Sequence, residues 1–263
     1  MPRRRSRLLW IVIVLAVTVI AFVVTARSMR HKSTSPEAIG TRVQRERNLF
    51  TEIYGARAGG GIIIFDAGVD PRGDALDRLL GTFGATRSDV RDVFLSHGHF
   101  DHVAAAPLCA HAKIHVGAAD VDFLAQRAPV YGTFGVKLLN AIFPVPPVTA
   151  TDALVGRSDI LVGGDKIIAI PVPGHTPGSY LFAFDGILFA GDSINIDGDK
   201  LDFAMAAFTK DREGNRRSVA ALDEALKGVD VQIVCTGHQG CTPPGRAQAM
   251  LAALIERAKK SND

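Results

Sequence analysis

The pattern of apolar and polar positions divides the chain into a long uncharged run, a polar stretch, and a region of short alternating runs. The run LLWIVIVLAVTVIAFVVTA, residues 8–26, has no polar face. At 1.5 Å rise per residue it reaches roughly 28 Å, about the hydrocarbon thickness of a bilayer. That predicts a transmembrane signal-anchor helix over residues 8–26, preceded by a basic flank over 1–7. A cleaved export signal ending at Val24-Thr25-Ala26 is the alternative, although the run exceeds the roughly 7–15 residues usual for such a signal. Residues 27–46 are polar, with Ser, Pro and Gly, and read as a linker.

From Asn48 the period changes. LFTEIYGARAGGGIIIFDAG predicts two strands about a turn at Gly59-Gly60-Gly61. The second, over residues 62–65, is apolar throughout, as a strand buried on both faces is. DALDRLLGTFG spaces its leucines as a helix does, Ser88-Asp89 begins a helical turn, and DVFLS is a strand. VAAAPLCA and AADVDFLAQRA predict helices flanking a strand over 113–116. DKIIAIPVP, SYLFAFD, GILFAGD and VQIVCTG predict further strands, and RRSVAALDEALKG and GRAQAMLAALIERAKK amphipathic helices. The order predicts a domain over residues 47–263 of the α/β (α+β) class, its sheets covered by helices on their outer faces. Residues 128–150 and 194–215 lack a clean period. Such segments are either pocket walls and lids or plain surface loops, and Tyr131, Phe134, Phe143 and Phe203 are the aromatic candidates for walls.

Charge sharpens this picture. The formal net charge is +3, yet residues 1–32 hold seven Lys/Arg and no acid. The remainder carries 23 basic against 27 acidic side chains, a net of about −4. A nucleic-acid-binding domain shows the opposite balance or a basic stripe, so no nucleic-acid partner is expected. Arg3, Arg4, Arg5 and Arg7 precede the apolar run, whereas Arg27, Arg30 and Lys32 follow it. The slight excess before the run favours a cytoplasmic N-terminus and an extracytoplasmic domain, tethered at the membrane or cleaved and exported. Three cysteines are too few for a disulfide scaffold. Cys235 and Cys241 are free to pair in an exported domain, and all three are equally readable as small core residues.

The chemistry concentrates in FLSHGHFDHVAAA, residues 94–106, where His97, His99, Asp101 and His102 follow an apolar strand. Histidine nitrogen and carboxylate oxygen are the ligands zinc takes at about 2 Å. Four so close are awkward for one tetrahedral ion and suit two ions side by side. Further ligand types stand in glycine-containing turns after other apolar strands: His175 in VPGHTPGS, Asp192 in LFAGDSIN and His238 in VCTGHQG. Loops from a rigid sheet can bring such turns together. His31, His111 and His115 lack that setting.

The ordered set H-x-H-x-D-H, P-G-H-T-P-G-S, G-D-S and G-H resembles the metallo-β-lactamase superfamily over residues 48–245. The resemblance implies an αββα four-layer sandwich with two Zn2+ ions per chain at one edge of the sheets. It implies that His97, His99 and His175 hold the first zinc and that Asp101, His102 and His238 hold the second, with Asp192 bridging both. It also places Asp66, in IFDAG, beneath the site, either supporting a ligand or serving structure alone. One departure stands out: Val103-Ala104-Ala105 where the family often has x-G-G. The implied reaction is attack of a metal-bridging hydroxide on a carbonyl of a small-molecule ester, thioester, lactone or β-lactam, with Asp101 shuttling a proton. The alternatives are a mononuclear-iron persulfide dioxygenase-like oxidoreductase and a phosphodiesterase of the same superfamily. Only 25 residues follow His238, which disfavours the helical substrate-binding domain of a glyoxalase II-like thioesterase.

Overall fold

The computed structural model describes residues 2–29, 35–129 and 133–261. A first helix, α1 (Pro2–Met29), precedes two sheets and a hairpin. The first sheet runs in sequence order through β1 (Glu37–Ala38), β2 (Val43–Asn48), β3 (Thr51–Ala58), β4 (Gly61–Phe65), β5 (Val90–Phe94), β6 (Lys113–Gly117) and β7 (Asp152–Leu154). Its β1–β4 half is an antiparallel meander, and β4, β5, β6 and β7 are parallel neighbours. The crossovers carry α2 (Asp74–Gly81), α3 (Phe100–Val103), α4 (Val121–Leu124) and α5 (Phe134–Ile142).

The second sheet is built from β8 (Ser158–Val162), β9 (Asp165–Pro171), β10 (Tyr180–Phe184) and β11 (Ile187–Phe189). A small hairpin follows, β12 (Ile194–Asp197) with β13 (Lys200–Phe203), then α6 (Arg212–Ala225). The chain returns to place β14 (Ile233–Cys235) parallel to β11 and closes with α7 (Ala247–Lys260).

Period-two alternation sorts side chains to the two faces of each sheet. In β4, Ile63 and Phe65 face the second sheet, where they meet Phe182, Phe184 and Phe189. Ile62 and Ile64 face away from it and pack on Leu76, Leu79 and Leu80 of α2. In β9, Ile167 and Ala169 join the inter-sheet layer, while Ile168 and Ile170 pack with Val219, Leu222, Leu251 and Leu254 of α6 and α7. The layers are therefore helix, sheet, sheet, helix. Phe65 stacks on Phe189 with ring centroids 3.9 Å apart, at the centre of the inter-sheet layer. Truncating Phe65 to alanine costs about 3–5 kcal/mol.

Two expectations change. Part of the stretch read as a linker forms β1 and β2. The reading failed because VQRERN is charged, yet its charges are paired with the neighbouring strands and with α2 instead of solvated. Buried Glu46 meets Arg78 at 2.8 Å, buried Glu52 meets Arg47 at 3.0 Å, and Arg45 meets Glu37. The transmembrane helix expected over residues 8–26 also lacks support: among the described residues, no helix is long and apolar enough to cross a membrane. The described side chains of α1 are almost all exposed. Tyr131, Arg30, Lys32 and His31 lie outside the described residues.

Candidate metal centre

Strands β4, β5 and β6 are parallel, so their C-terminal ends share one edge of the first sheet. In the second sheet β9 and β11 both run antiparallel to β10, and β14 runs parallel to β11, so these three also end together. The turns after these strands carry Asp66, His97, Asp120, His175, Asp192 and His238. Ligand crevices open at the carboxyl ends of strands for this reason: several loops converge there from rigid supports.

The structure brings together all seven side chains expected as ligands. His97, His99 and His175 form one group and Asp101, His102 and His238 another, with candidate ligand atoms in each within 4.8 Å of one another. His175 Nε2 lies 3.2 Å from His97 Nε2 and 2.9 Å from His99 Nδ1. Asp192 reaches both groups: its oxygens stand 3.6 Å from His175 Nε2, 3.3 Å from His102 Nε2 and 3.0 Å from His238 Nε2. Asp101 lies 3.6 Å from His238 Nε2 and 3.8 Å from His102 Nε2. The close approach of His102 and Asp192 requires Gly237, where a Cβ would stand 2.3 Å from Asp192 Oδ1 and 2.6 Å from His102 Cε1.

Which nitrogen points inward is set by what holds the other one. His102 Nδ1 is 2.8 Å from Asp66 Oδ2, and His238 Nδ1 donates to the Phe50 carbonyl at 2.8 Å. His97 Nδ1 is 3.0 Å from Ser96 Oγ, and His175 Nδ1 is 3.3 Å from Thr209 Oγ1. Each of these four rings thereby turns Nε2 toward the others. Asp66 is thus a support as well as a structural residue. It accepts from the Ser96 hydroxyl and backbone N–H, each at 2.8 Å, as well as holding His102. It does so from a left-handed backbone at φ 56°.

Burial, reinforced by like neighbours, drives His97 well below the ordinary imidazole range. Burial takes His99 to about 4 and His175 to about 3. These three rings are neutral near pH 7 and present lone pairs to the same space. Burial opposes protonation of His238 too, but the Asp192 carboxylate overrides it and raises that ring to about 9. His102 is raised in the same way, by Asp192 and then Asp66 against its burial. Although buried, Asp192 is held well below the usual carboxylate range by His238 and His102.

This donor set fits divalent cations. Buried His102 Nε2 and Asp192 Oδ1 stand 3.3 Å apart without forming a hydrogen bond, and neither has another partner, a condition that costs about 1–3 kcal/mol per group unless something fills the gap. Three converging neutral imidazoles likewise present acceptors without a donor. A cation in each group answers both.

Sequence reading missed one residue. Asp120, fully buried just past β6, accepts from the Gly98 N–H at 2.8 Å, between His97 and His99. It also accepts from the Thr176 hydroxyl at 2.7 Å and the Gly178 N–H at 2.8 Å, both just after His175. A Cβ on Gly178 would stand 2.6 Å from Asp120 Cγ, so the loop needs glycine there. The signal was available: an acid closing an apolar strand, as with Asp66 and Asp192. Sequence analysis also left the Cys235–Cys241 pairing open. The structure joins them, closing the loop that carries His238, and leaves Cys109 buried and free.

The walls differ from those expected. A cavity of about 580 Å³ opens over His99, Asp101, Asp192 and His238, and its apolar lining includes Val136, Leu139, Met205 and Phe208. Both aperiodic segments therefore supply wall, through different side chains. Phe134 points to solvent, Phe143 is buried against Phe50 and Phe100, and Phe203 packs beneath Arg216 and Arg257. His115, set aside in sequence, is held between Asp92 and Asp152 at 2.6 and 2.7 Å, away from the centre.

A sequence profile of the metallo-beta-lactamase superfamily matches residues 50–238. The chain is 32% identical over 141 residues to a hydroxyacylglutathione hydrolase of Anaeromyxobacter dehalogenans, covering 54% of this chain and 45% of that one. It is 28% identical over 133 residues to BaeB of Bacillus velezensis, described as a probable polyketide biosynthesis zinc-dependent hydrolase, covering 49% and 50%. The chain spans about half the length of the curated relatives it matches. Among solved structures, the metallo-beta-lactamase GOB-18 from Elizabethkingia meningoseptica shares the fold. Its TM-score is 0.63 at 20% identity, over 89% of this chain and 92% of that one.

Proposed function

The chain belongs to the metallo-beta-lactamase superfamily of metallo-hydrolases, and from that premise we propose a dinuclear zinc hydrolase that adds water to a carbonyl compound. The substrate classes are ester, thioester, lactone and β-lactam. In this reading His97, His99 and His175 would hold one ion and Asp101, His102 and His238 the other, with Asp192 within reach of both groups. One observation carries it: two convergent three-residue groups, each with its ligand atoms within 4.8 Å, both reached by Asp192. A mononuclear iron site of the two-histidine, one-carboxylate kind would leave a second set of donors without a metal.

When bound, the cations supply a Lewis acid for the carbonyl oxygen and bring the pKa of water near neutrality. The chain's own residues do the rest. The His–Asp66, His–Ser96, His–Thr209 and His–Phe50 contacts hold the rings in one tautomer. Asp101 lines the cavity and is proposed to hold the proton given up by the attacking water and pass it to the leaving group. No serine, threonine or cysteine stands among the described residues lining the cavity, in keeping with direct attack by water instead of a covalent acyl-enzyme.

The proposed location is outside the cytoplasm, supported by the Cys235–Cys241 disulfide, since such bonds persist in oxidising compartments. A membrane tether rests on the sequence of residues 8–26 alone. The test of function is metal analysis of the purified chain together with an activity screen against the four carbonyl classes. The expected result is two zincs per chain and hydrolysis within the panel. One iron per chain, or phosphodiester cleavage with none of the four classes turned over, overturns the reading.

A further inference from the structure

The cavity over the histidines draws its apolar walls from four separate segments. Phe50 and Phe100 flank the ligand turns, Val136 and Leu139 come from α5, and Met205 and Phe208 come from the loop after β13. The last two segments are joined: the Thr133 hydroxyl, which caps α5, donates to the Ala207 carbonyl. The walls are therefore braced against each other around a cavity of about 580 Å³, within the 300–1,000 Å³ usual for small-molecule sites.

Each polar side chain in those walls has a protein partner. Arg47 Nη1 donates to Glu52 Oε1 at 3.0 Å and to the His238 carbonyl at 3.2 Å. Asn195 Nδ2 donates to the Phe203 carbonyl at 2.9 Å, and Gln239 Oε1 accepts from the Thr236 hydroxyl at 3.0 Å. Among the described lining residues Arg47 is the one Lys or Arg, and its charge faces the buried Glu52 carboxylate. Among the wall side chains an anionic substrate arm meets Arg47 alone, already paired with Glu52. A neutral hydrocarbon arm meets six apolar side chains.

We propose, resting on the hydrolase reading above, that this cavity binds the acyl part of the substrate as a neutral aliphatic chain of medium length. The carbonyl then lies over His99, Asp101, Asp192 and His238. In the reaction the water oxygen bonds to the acyl carbon and the acyl C–O or C–S bond breaks. One water proton leaves on the alcohol or thiol, and the other goes to solvent as the carboxylate forms.

Two probes test this on the full zinc-loaded chain. The first is a series of p-nitrophenyl esters from acetyl to decanoyl, read as kcat/KM. The second is calorimetric binding of straight-chain alkanols from butanol to decanol, which needs no turnover. Burying a methylene gives roughly a fourfold gain, so both kcat/KM and affinity rise about fourfold per methylene until the cavity is full. Leu139→Asp puts a charge in the wall and flattens both slopes. Leu138→Asp, on the exposed side of the same helix, leaves them as in the parent and controls for folding. Flat slopes in the parent, or the parent's slopes retained in Leu139→Asp, overturn the proposal. A steep alkanol slope with no ester, thioester, lactone or β-lactam hydrolysed upholds the acyl cavity and overturns the hydrolase reading instead.

Discussion

Asp120 braces the loops that carry His97, His99 and His175, and its removal should cost the protein one metal more than the other. Its carboxylate accepts from the Gly98 N–H, the Gly178 N–H and the Thr176 hydroxyl, at 2.7–2.8 Å. Asp120→Ala removes both acceptor oxygens and with them all three hydrogen bonds. The Thr176 hydroxyl keeps Ser179 Oγ at 2.9 Å, so the two backbone N–H groups are the ones left bare. At about 1–3 kcal/mol each, the loss is about 2–6 kcal/mol. Relief from burying a carboxylate offsets part of it, which leaves the lower half of that range. Both bare groups lie in the loops carrying His97, His99 and His175, so those rings lose their fixed separation. Loss of such support weakens metal binding roughly 10–100-fold. The three hydrogen bonds of Asp120 run to the loops that carry the first group, so the first ion should be weakened more than the second. Asp120→Asn keeps one acceptor oxygen and turns an amino group toward a donor, so an intermediate loss is expected. Chelator competition followed by metal counting reads the effect, with thermal melts of the metal-free proteins alongside. The expected outcome is a fall from two tightly held ions toward one. Equal weakening of both ions, or a lowered melt with unchanged metal affinity, refutes the clamp.

Other outcomes follow from the same geometry. Asp101→Asn should lower turnover more than zinc content, since its proposed work is on the proton; equal losses of both, measured by kcat and metal analysis, count against it. For the metal-free chain the pH dependence has two arms. His99 and His175, depressed to about 4 and 3, favour folding above the ordinary value of about 6.5, and that stability is lost as pH falls through their folded values. His238, raised to about 9, stabilises below about 6.5 and loses its contribution as pH climbs through 9. Thermal melts in chelator should therefore peak near pH 6.5 and fall on both sides, whereas a melt rising monotonically to pH 9 contradicts the assignment. Zinc must displace the His238 proton, so calorimetry at pH 7.5 in buffers of different ionisation enthalpy should show proton release, and buffer-independent heats would refute it. Finally, Cys235–Cys241 closes a six-residue separation around His238. In the chain-entropy account a loop that short contributes about 2 kcal/mol. Cys241→Ser should lower the melting temperature and loosen one zinc, and unchanged melts and zinc titrations would show the bridge to be idle.

What was legible in the sequence was whatever is local. His97 to His102 declare themselves because the ligand types are adjacent in the chain, and His175, Asp192 and His238 because each sits in a glycine turn after an apolar strand. The strands themselves were legible where burial on both faces makes them continuously apolar, as in β4 and β10. What stayed hidden depends on partners distant in sequence. β2 reads as linker until Glu46 and Glu52 are seen paired with Arg78 and Arg47, because the sequence shows charges and not who neutralises them. Val136, Leu139, Met205 and Phe208 form one cavity wall from segments about seventy residues apart, and nothing in either segment's period announces the other. Asp120 is the instructive case. It looks like Asp66 and Asp192 in sequence, an acid just past a strand, and all three end at the same edge. One lies between the two ligand groups, one holds a ligand ring from beneath, and one joins two loops. The strand pattern brings an acid to the edge; only its hydrogen-bond partners determine which of these it does, and those partners are 22 to 58 residues away for Asp120. Chemistry at such an edge is therefore readable from the sequence as a set of candidates, and becomes a division of labour only when the two sheets are face to face.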